Sequence, residues 1–131
     1  MIRKKITIHG ANISSIASFY DEINRVFMAG EDWKIGHSLD AFNDLLYGGF
    51  GIIRAAEPVI LVWINMEKNR DDLGYEATIA WYREKLESPS RFNIKWVNER
   101  LAALEDGTGR TFFEMVTDII SEHSNIVLKE G

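Results

Sequence analysis

The chain has 131 residues, 46% of them hydrophobic and 27% charged, with a net charge of -5 and no cysteine. That is the composition of one soluble globular domain, since domains usually run to about 100–200 residues. It excludes a disordered or fibrous chain. It also excludes disulfides, Cys-ligated zinc and thiol catalysis. The longest apolar run, residues 58–66, already contains Asn65 and falls short of the roughly 18 residues that a membrane span needs. The start, Met1-Ile2-Arg3-Lys4-Lys5, is basic, but the apolar stretch after it is too short for a signal-peptide core and contains His9. A cytoplasmic protein is expected. Fifteen basic against twenty acidic residues do not give the basic face of a nucleic-acid binder. They suit a basic protein partner, because complementary fields speed encounter.

Lys4–His9 predicts a strand, with Ile6 and Ile8 alternating with Lys5 and Thr7. Ser14 or Ser15 can cap a helix. Ile16, Phe19, Ile23, Val26 and Phe27 then fall on one helical face, and Gly30 is the expected stop. Residues 31–37 read as a polar loop around Trp33, Ile35 and Gly36. Ser38 caps a second, short helix, with Leu39, Phe42, Leu45 and Leu46 as its buried stripe and Asp40, Asn43, Asp44 and Tyr47 on the other face. The glycines after Tyr47 end it. Residues 58–64 are apolar without alternation, which suits a strand covered on both faces in a parallel sheet. Two helices intervene between the two strands, so a crossover joins them rather than a hairpin.

Tyr75–Leu86 has helical periodicity. Residues 93–104 read as another helix, and residues 92–96 could equally form a short strand. Thr111-Phe112-Phe113-Glu114 is a capping box that opens the last helix, and Ile126-Val127-Leu128 forms a last strand. The fold class is α/β: a small three-stranded parallel sheet packed with helices, in one domain over residues 1–131, with a helical insert at about 67–110 before the last helix.

The chemistry concentrates on the second helix. Asp40 and Asp44 are four apart and project from one face. Asp40 lies in the first turn, where a carboxylate complements the helix dipole; Asp44 lies beyond it. The bland reading of this face is solvated polarity. Against it, Glu31, Asp32, Asp40 and Asp44 are offset only by Lys34 across residues 31–50. An acidic helix beside a Trp- and Gly-containing loop suits a cationic pocket on a partner.

The run Ser38-Leu39-Asp40-Ala41-Phe42-Asn43-Asp44-Leu45-Leu46, followed by Tyr47-Gly48-Gly49, resembles the second-helix signature of the barstar family of ribonuclease inhibitors. Trp33-Lys34-Ile35-Gly36 is similar to the family's approach loop. Ile6-Thr7-Ile8-His9-Gly10 with Ile13-Ser14-Ser15-Ile16 is similar to its first strand and helix start, and residues 59–63 to its middle strand ending in Trp. The likeness covers residues 4–66 and 111–128. It implies a three-stranded parallel sheet with helices. It also implies a cytoplasmic, bacterial immunity protein, a monomer in a 1:1 complex, that occupies the active site of a basic ribonuclease or nuclease toxin. The resemblance implies that Asp44 takes the place of substrate phosphate, with Asp40 at the same interface. Lys34, Gly36, Ser38, Asn43 and His37 would shape the contact, Tyr47 would pack at its edge, and Asp118 would add charge from the last helix. Lys34 stands where barstar has an aromatic residue, Asn43 where it has Trp and Ser38 where it has Asn; the stretch 67–110 is longer. The first three remove hot-spot chemistry and speak against barnase itself as target. The insert reads as extra core, since Trp81, Tyr82 and Trp96 resemble packing residues, with a second contact surface as the other possibility.

Rival readings are weaker. His9, His37 and His123 share no helical face and sit in no nucleophile or metal motif, so no enzyme is expected. Asp71-Asp72 and Glu31-Asp32 lack a third ligand, so no metal or cofactor is expected. Gly48-Gly49-Phe50-Gly51 follows a helix rather than a strand and lacks the phosphate-loop Lys. Arg91, Lys95 and Arg100 with Phe92 and Trp96 make only a mild basic patch, so no direct nucleic-acid contact is expected. A barstar-like interaction or regulatory module without nuclease inhibition is the alternative function.

Overall fold

A computed structural model describes residues 3–131; Met1 and Ile2, where the basic start begins, lie outside the described residues. The elements are β1 (Lys4–His9), a 3-10 turn (Gly10–Asn12), α1 (Ile16–Phe27), α2 (Leu39–Tyr47), β2 (Val59–Ile64), α3 (Met66–Asp72), α4 (Tyr75–Leu86), α5 (Ile94–Glu105), α6 (Phe112–Ser121) and β3 (Ile126–Glu130). The sheet has three parallel strands in the order β1-β2-β3, as the sequence predicts. Ile6 pairs with Leu61 and Ile8 with Trp63, and Val59 pairs with Ile126. Among the described residues no helix is long and apolar enough to cross a membrane.

The central strand departs from the expectation that both its faces are covered. Val59, Leu61 and Trp63 are buried, whereas Ile60, Val62 and Ile64 are only half-buried. The register explains this. Ile60 lies beside Lys5, Val62 beside Thr7 and Lys129, and Ile64 beside His9. The outer face is therefore an apolar strip, continued by Val127 beside Ile60 and otherwise flanked by polar residues.

Ser15 caps α1; its side chain accepts from Ser18 N, and the Ser18 hydroxyl accepts in return from the Ser15 backbone N–H. The helix ends at Phe27, before the glycine expected to stop it. The Phe27 carbonyl accepts from Ile52 N at 2.9 Å, so this last-turn acceptor is met by another segment. The capping box at Thr111 and Glu114 opens α6 as the sequence predicts. Phe19 of α1 sits in the middle of the core. Its ring centroid lies 5.6 Å from Phe42, 6.2 Å from Trp63 and 5.5 Å from Phe112.

The helix α3 has no counterpart in the sequence reading. Asn69, fully buried, holds it in place. Its Oδ1 accepts from Trp63 Nε1 at 2.7 Å, and its Nδ2 donates to the carbonyls of Gly10 and Ile13 at 3.1 and 3.2 Å. Gly10 is required here, since a Cβ would run into the Ile64 carbonyl and Asn69 Oδ1. Residues 92–96 open α5 and form no strand: the Asn93 side chain accepts from Trp96 N at 3.1 Å and caps the helix. Together α4 and α5 make a hairpin around Ile79, Tyr82, Val97, Leu101 and Leu104. Trp81 joins this cluster to the main core through Phe112, at 5.3 Å. Trp96 is not a packing residue of the kind expected: it is 42% exposed, edge-on to Tyr82 with Arg100 over its ring.

Glu22 is a buried carboxylate in α1. It accepts from His9 N at 2.8 Å and Asn12 Nδ2 at 3.0 Å, and Arg25 grips both its oxygens at 2.7 Å. Burial opposes its charge, but Arg25, His9 N and Asn12 together outweigh burial and hold the carboxyl below its ordinary value. An unfolded Glu titrates near ~4.3, and the folded Glu22 titrates lower. Its contribution is therefore present above the unfolded value and is lost as pH falls through the folded one. Glu22→Gln is expected to be less stable at pH 7 by about 1–3 kcal/mol, with a shallower loss of stability between about pH 5 and pH 3 than wild type; urea denaturation across that range checks it.

Candidate partner-binding site

The loop before α2 is held from beneath. Ile35 is buried, and Asn24 clamps its backbone: Ile35 N donates to Asn24 Oδ1 at 2.8 Å, and Asn24 Nδ2 donates to the Ile35 carbonyl at 3.3 Å. With Ile35 pinned, Lys34, Gly36, His37 and Ser38 are left exposed. Ser38 N donates to the Gly36 carbonyl at 3.0 Å, and the Ser38 hydroxyl accepts from Ala41 N at 3.1 Å to cap α2. A Cβ at Gly36 would meet nothing within 4 Å, so the surface there is open. His37 lies flat on Tyr20, with ring centroids 4.8 Å apart.

Phe42, Leu45 and Leu46 bury the inner face of α2. Gly48 ends the helix at φ 88°, a conformation that favours glycine, and a Cβ there would also crowd the backbone nitrogens of Ala55 and Ala56. Asp40, Asp44 and Tyr47 are exposed on the outer face. Neither aspartate makes an ion pair or hydrogen bond through its side chain with any described residue. Asp40 has the dipole of the first turn to stabilise it. Asp44 falls in the last turn, where the dipole disfavours an anion, and no basic residue shares that turn.

Asn43, Tyr47 and Asp118, all expected at the contact, are engaged within the chain. Asn43 is half-buried, and its Oδ1 lies 2.7 Å from Nε2 of the buried His123. Tyr47, 62% exposed, sets its ring edge-on to the same imidazole at 4.7 Å. Asp118 on α6 is neutralised by Arg110, whose Nη2 reaches its two oxygens at 2.8 and 2.9 Å; Arg110 also reaches Glu114 at 3.1 Å. The structure thus gathers Lys34, Gly36, His37, Ser38, Asp40, Asp44 and Tyr47 on one exposed loop and helix. It turns Asn43 inward and pairs Asp118 with its neighbour.

Sequence reasoning missed His123 and Arg110. No local signal links His123 to Asn43 across 80 positions. Arg110 was legible, because residues 110, 114 and 118 repeat at helical spacing as Arg, Glu and Asp. Among the described residues no group of three His, Asp or Glu side chains is placed to hold a metal ion.

The Barstar (barnase inhibitor) family model matches residues 3–106 of this chain. The chain belongs to that family, whose members are inhibitors rather than enzymes. The matched span takes in α4 and α5 and stops short of α6 and β3, whereas the likeness read from the sequence skipped residues 67–110 and resumed at Thr111. No curated protein matches the chain.

The two kinds of residue on α2 are separable by stability. Asn43→Ala leaves the buried His123 without its partner and is expected to cost about 1–3 kcal/mol. Asp44→Ala is expected to leave stability within about 0.5 kcal/mol of wild type, or slightly above it, as for an exposed site with no local partner. Urea midpoints of the two variants check this.

Proposed function

We propose that the protein inhibits a ribonuclease or ribonuclease-type toxin by laying α2 and its approach loop into a basic active site. The observation that carries this reading is Asp44: an exposed carboxylate with no side-chain partner among the described residues, at a helix position that disfavours it. Such a charge contributes nothing to the free fold and becomes useful against a cation brought by a partner. Membership of a family described as barnase inhibitors supports a nuclease as that partner.

In this reading Asp44 takes the place of a substrate phosphate against Arg, Lys or His of the nuclease, and Asp40 strengthens the field. Gly36 lets the partner come close to backbone. His37, Ser38 and Tyr47 line the contact, and Lys34 meets an acidic rim, which sets partner choice apart from that of barstar. Asn43 acts indirectly, by seating α2 on His123. Asp118 stays with Arg110 and contributes at most at the periphery. The inhibitor does no chemistry; it blocks the site by shape and charge. A 1:1 complex burying roughly 1,600 Å² would be of ordinary size. The role that follows is that of a bacterial immunity protein acting in the cytoplasm.

The test is an affinity pull-down from native cells with wild type beside the Asp40→Ala/Asp44→Ala double variant. The expected result is a basic nuclease held by wild type alone and active only after release. A partner held equally by both variants would favour a barstar-fold interaction module with its contact elsewhere. With the nuclease in hand, Asp44→Ala is expected to weaken binding by about 2–5 kcal/mol, the usual cost of removing one member of a buried charged pair. Raising the salt concentration is expected to slow association more than it speeds dissociation, which stopped-flow mixing measures.

A further inference from the structure

A second concave feature lies apart from the acidic face of α2. It is a cleft of about 310 Å³ between α1, the approach loop and the α4–α5 hairpin, at the small end of the range for ligand sites. Lys85 Nζ sits 4.4 Å from the ring centroids of both Trp81 and Phe92. Arg91 lies over the other end of the hairpin turn, 5.6 Å from the Phe92 ring. Neither cation has an ion-pair partner among the described residues. Glu84 is the one carboxylate in the lining, and the imidazole of His37 closes the side toward the approach loop.

One residue lining the cleft carries an unmet donor. Tyr20 is 1% exposed, and its hydroxyl is buried with no hydrogen-bond partner among the described residues. Burial pushes its pKa far above the ordinary value, so it keeps its proton at any physiological pH. A buried hydroxyl left unpaired is unfavourable, and such orphans are rare in native proteins. Tyr20 is one of the residues lining a cleft whose other polar groups are chiefly donors: Lys85, Arg91 and the Ser88 hydroxyl. Its one carboxylate, Glu84, forms no ion pair with Lys85 or Arg91, so these donors are left unanswered. Because Lys85 already covers the faces of Trp81 and Phe92, those rings serve as its wall rather than as a stacking platform.

We propose that this cleft binds a small oxyanion, a carboxylate or a phosphate group, held by Lys85 and Arg91 with the Tyr20 hydroxyl as a further donor. The site borders the proposed nuclease contact at His37 but uses neither Asp40 nor Asp44, so its anion binding is tested separately from nuclease inhibition.

The full chain, labelled with ¹⁵N, is titrated with inorganic phosphate and separately with acetate, each against sodium chloride at equal ionic strength. The expected result is saturable shifts at Tyr20, His37, Lys85 and Arg91 with at least one of the two anions. Phosphate alone would mark a phosphorylated ligand, and acetate alone a carboxylate, whether free or on a partner's side chain. Lys85→Gln is expected to weaken the response about tenfold or more, the loss of a hydrogen bond to a charged group. Arg91→Gln, at an exposed position, serves the same purpose should Lys85→Gln fail to fold. Tyr20→Phe keeps the packing and removes only the donor; it is expected to retain the fold and to weaken binding about threefold or more. Shifts no larger than those of chloride with both anions, or unchanged binding in the Lys85 or Arg91 variant and in Tyr20→Phe, would overturn the proposal.

Discussion

The ring of Phe19 is the joint on which the molecule is assembled. It meets Phe42 of α2, Trp63 of β2 and Phe112 of α6 within one aromatic cluster. The contacts with Phe42 and Phe112 are edge-to-face and that with Trp63 is stacked, geometries that favour defined ring orientations. A helix as short as α2 would be marginal alone in water. It exists because Phe42, Leu45 and Leu46 lock into this cluster, and its outward face is fixed as a result. The inner stripe of α2 serves the fold, Asn43 and Tyr47 meet His123, and Asp40 and Asp44 are left without a side-chain partner among the described residues.

The same division separates the acidic residues of the chain. Glu22 is buried and answered by three donors, and Asp118 is answered by Arg110. Asp40 and Asp44 are answered by nothing among the described residues. A carboxylate that the fold has paired is costly to redirect, because its partner would be stranded. A solvated carboxylate on a rigid helix gives up only water when a cation arrives. Asp21, Glu76 and Glu99 are likewise exposed without a side-chain partner among the described residues, so what sets the face of α2 apart is its place on a rigid helix beside the approach loop.

Much of this was legible in the sequence, for local reasons. The first, second and last helices announce themselves by an apolar stripe and a Ser or Thr cap. The approach loop and α2 are contiguous, so the candidate contact could be read as one segment. What was hidden was non-local. Helix α3 carries Glu67, Lys68, Arg70, Asp71 and Asp72 in a span without an apolar stripe. It is held by Asn69 reaching Trp63 and the carbonyls of Gly10 and Ile13, a bond pattern with no periodicity to detect. The start of α5 alternates like a strand, and the Asn93 cap decides for helix. Asn43 could not be told from its exposed neighbours, because the group that turns it inward, His123, belongs to the far end of the chain.

The parallel sheet has a consequence for how the protein is made. Val59 finds its partners in Lys4 and in Ile126, so neither neighbour of the central strand is close in sequence. Parallel pairings of this kind close long loops before they gain contacts and are slow to form. As the chain leaves the ribosome, β2 can dock on β1 early, but its other edge stays open until β3 has been synthesised. That edge belongs to Val-Ile-Leu-Val-Trp-Ile, an uncharged β-prone hexapeptide of the sort that pairs with copies of itself. The nascent chain thus passes through an interval in which its most aggregation-prone strand is half-covered. The longer that interval lasts, the longer the strand is exposed to pairing with copies of itself.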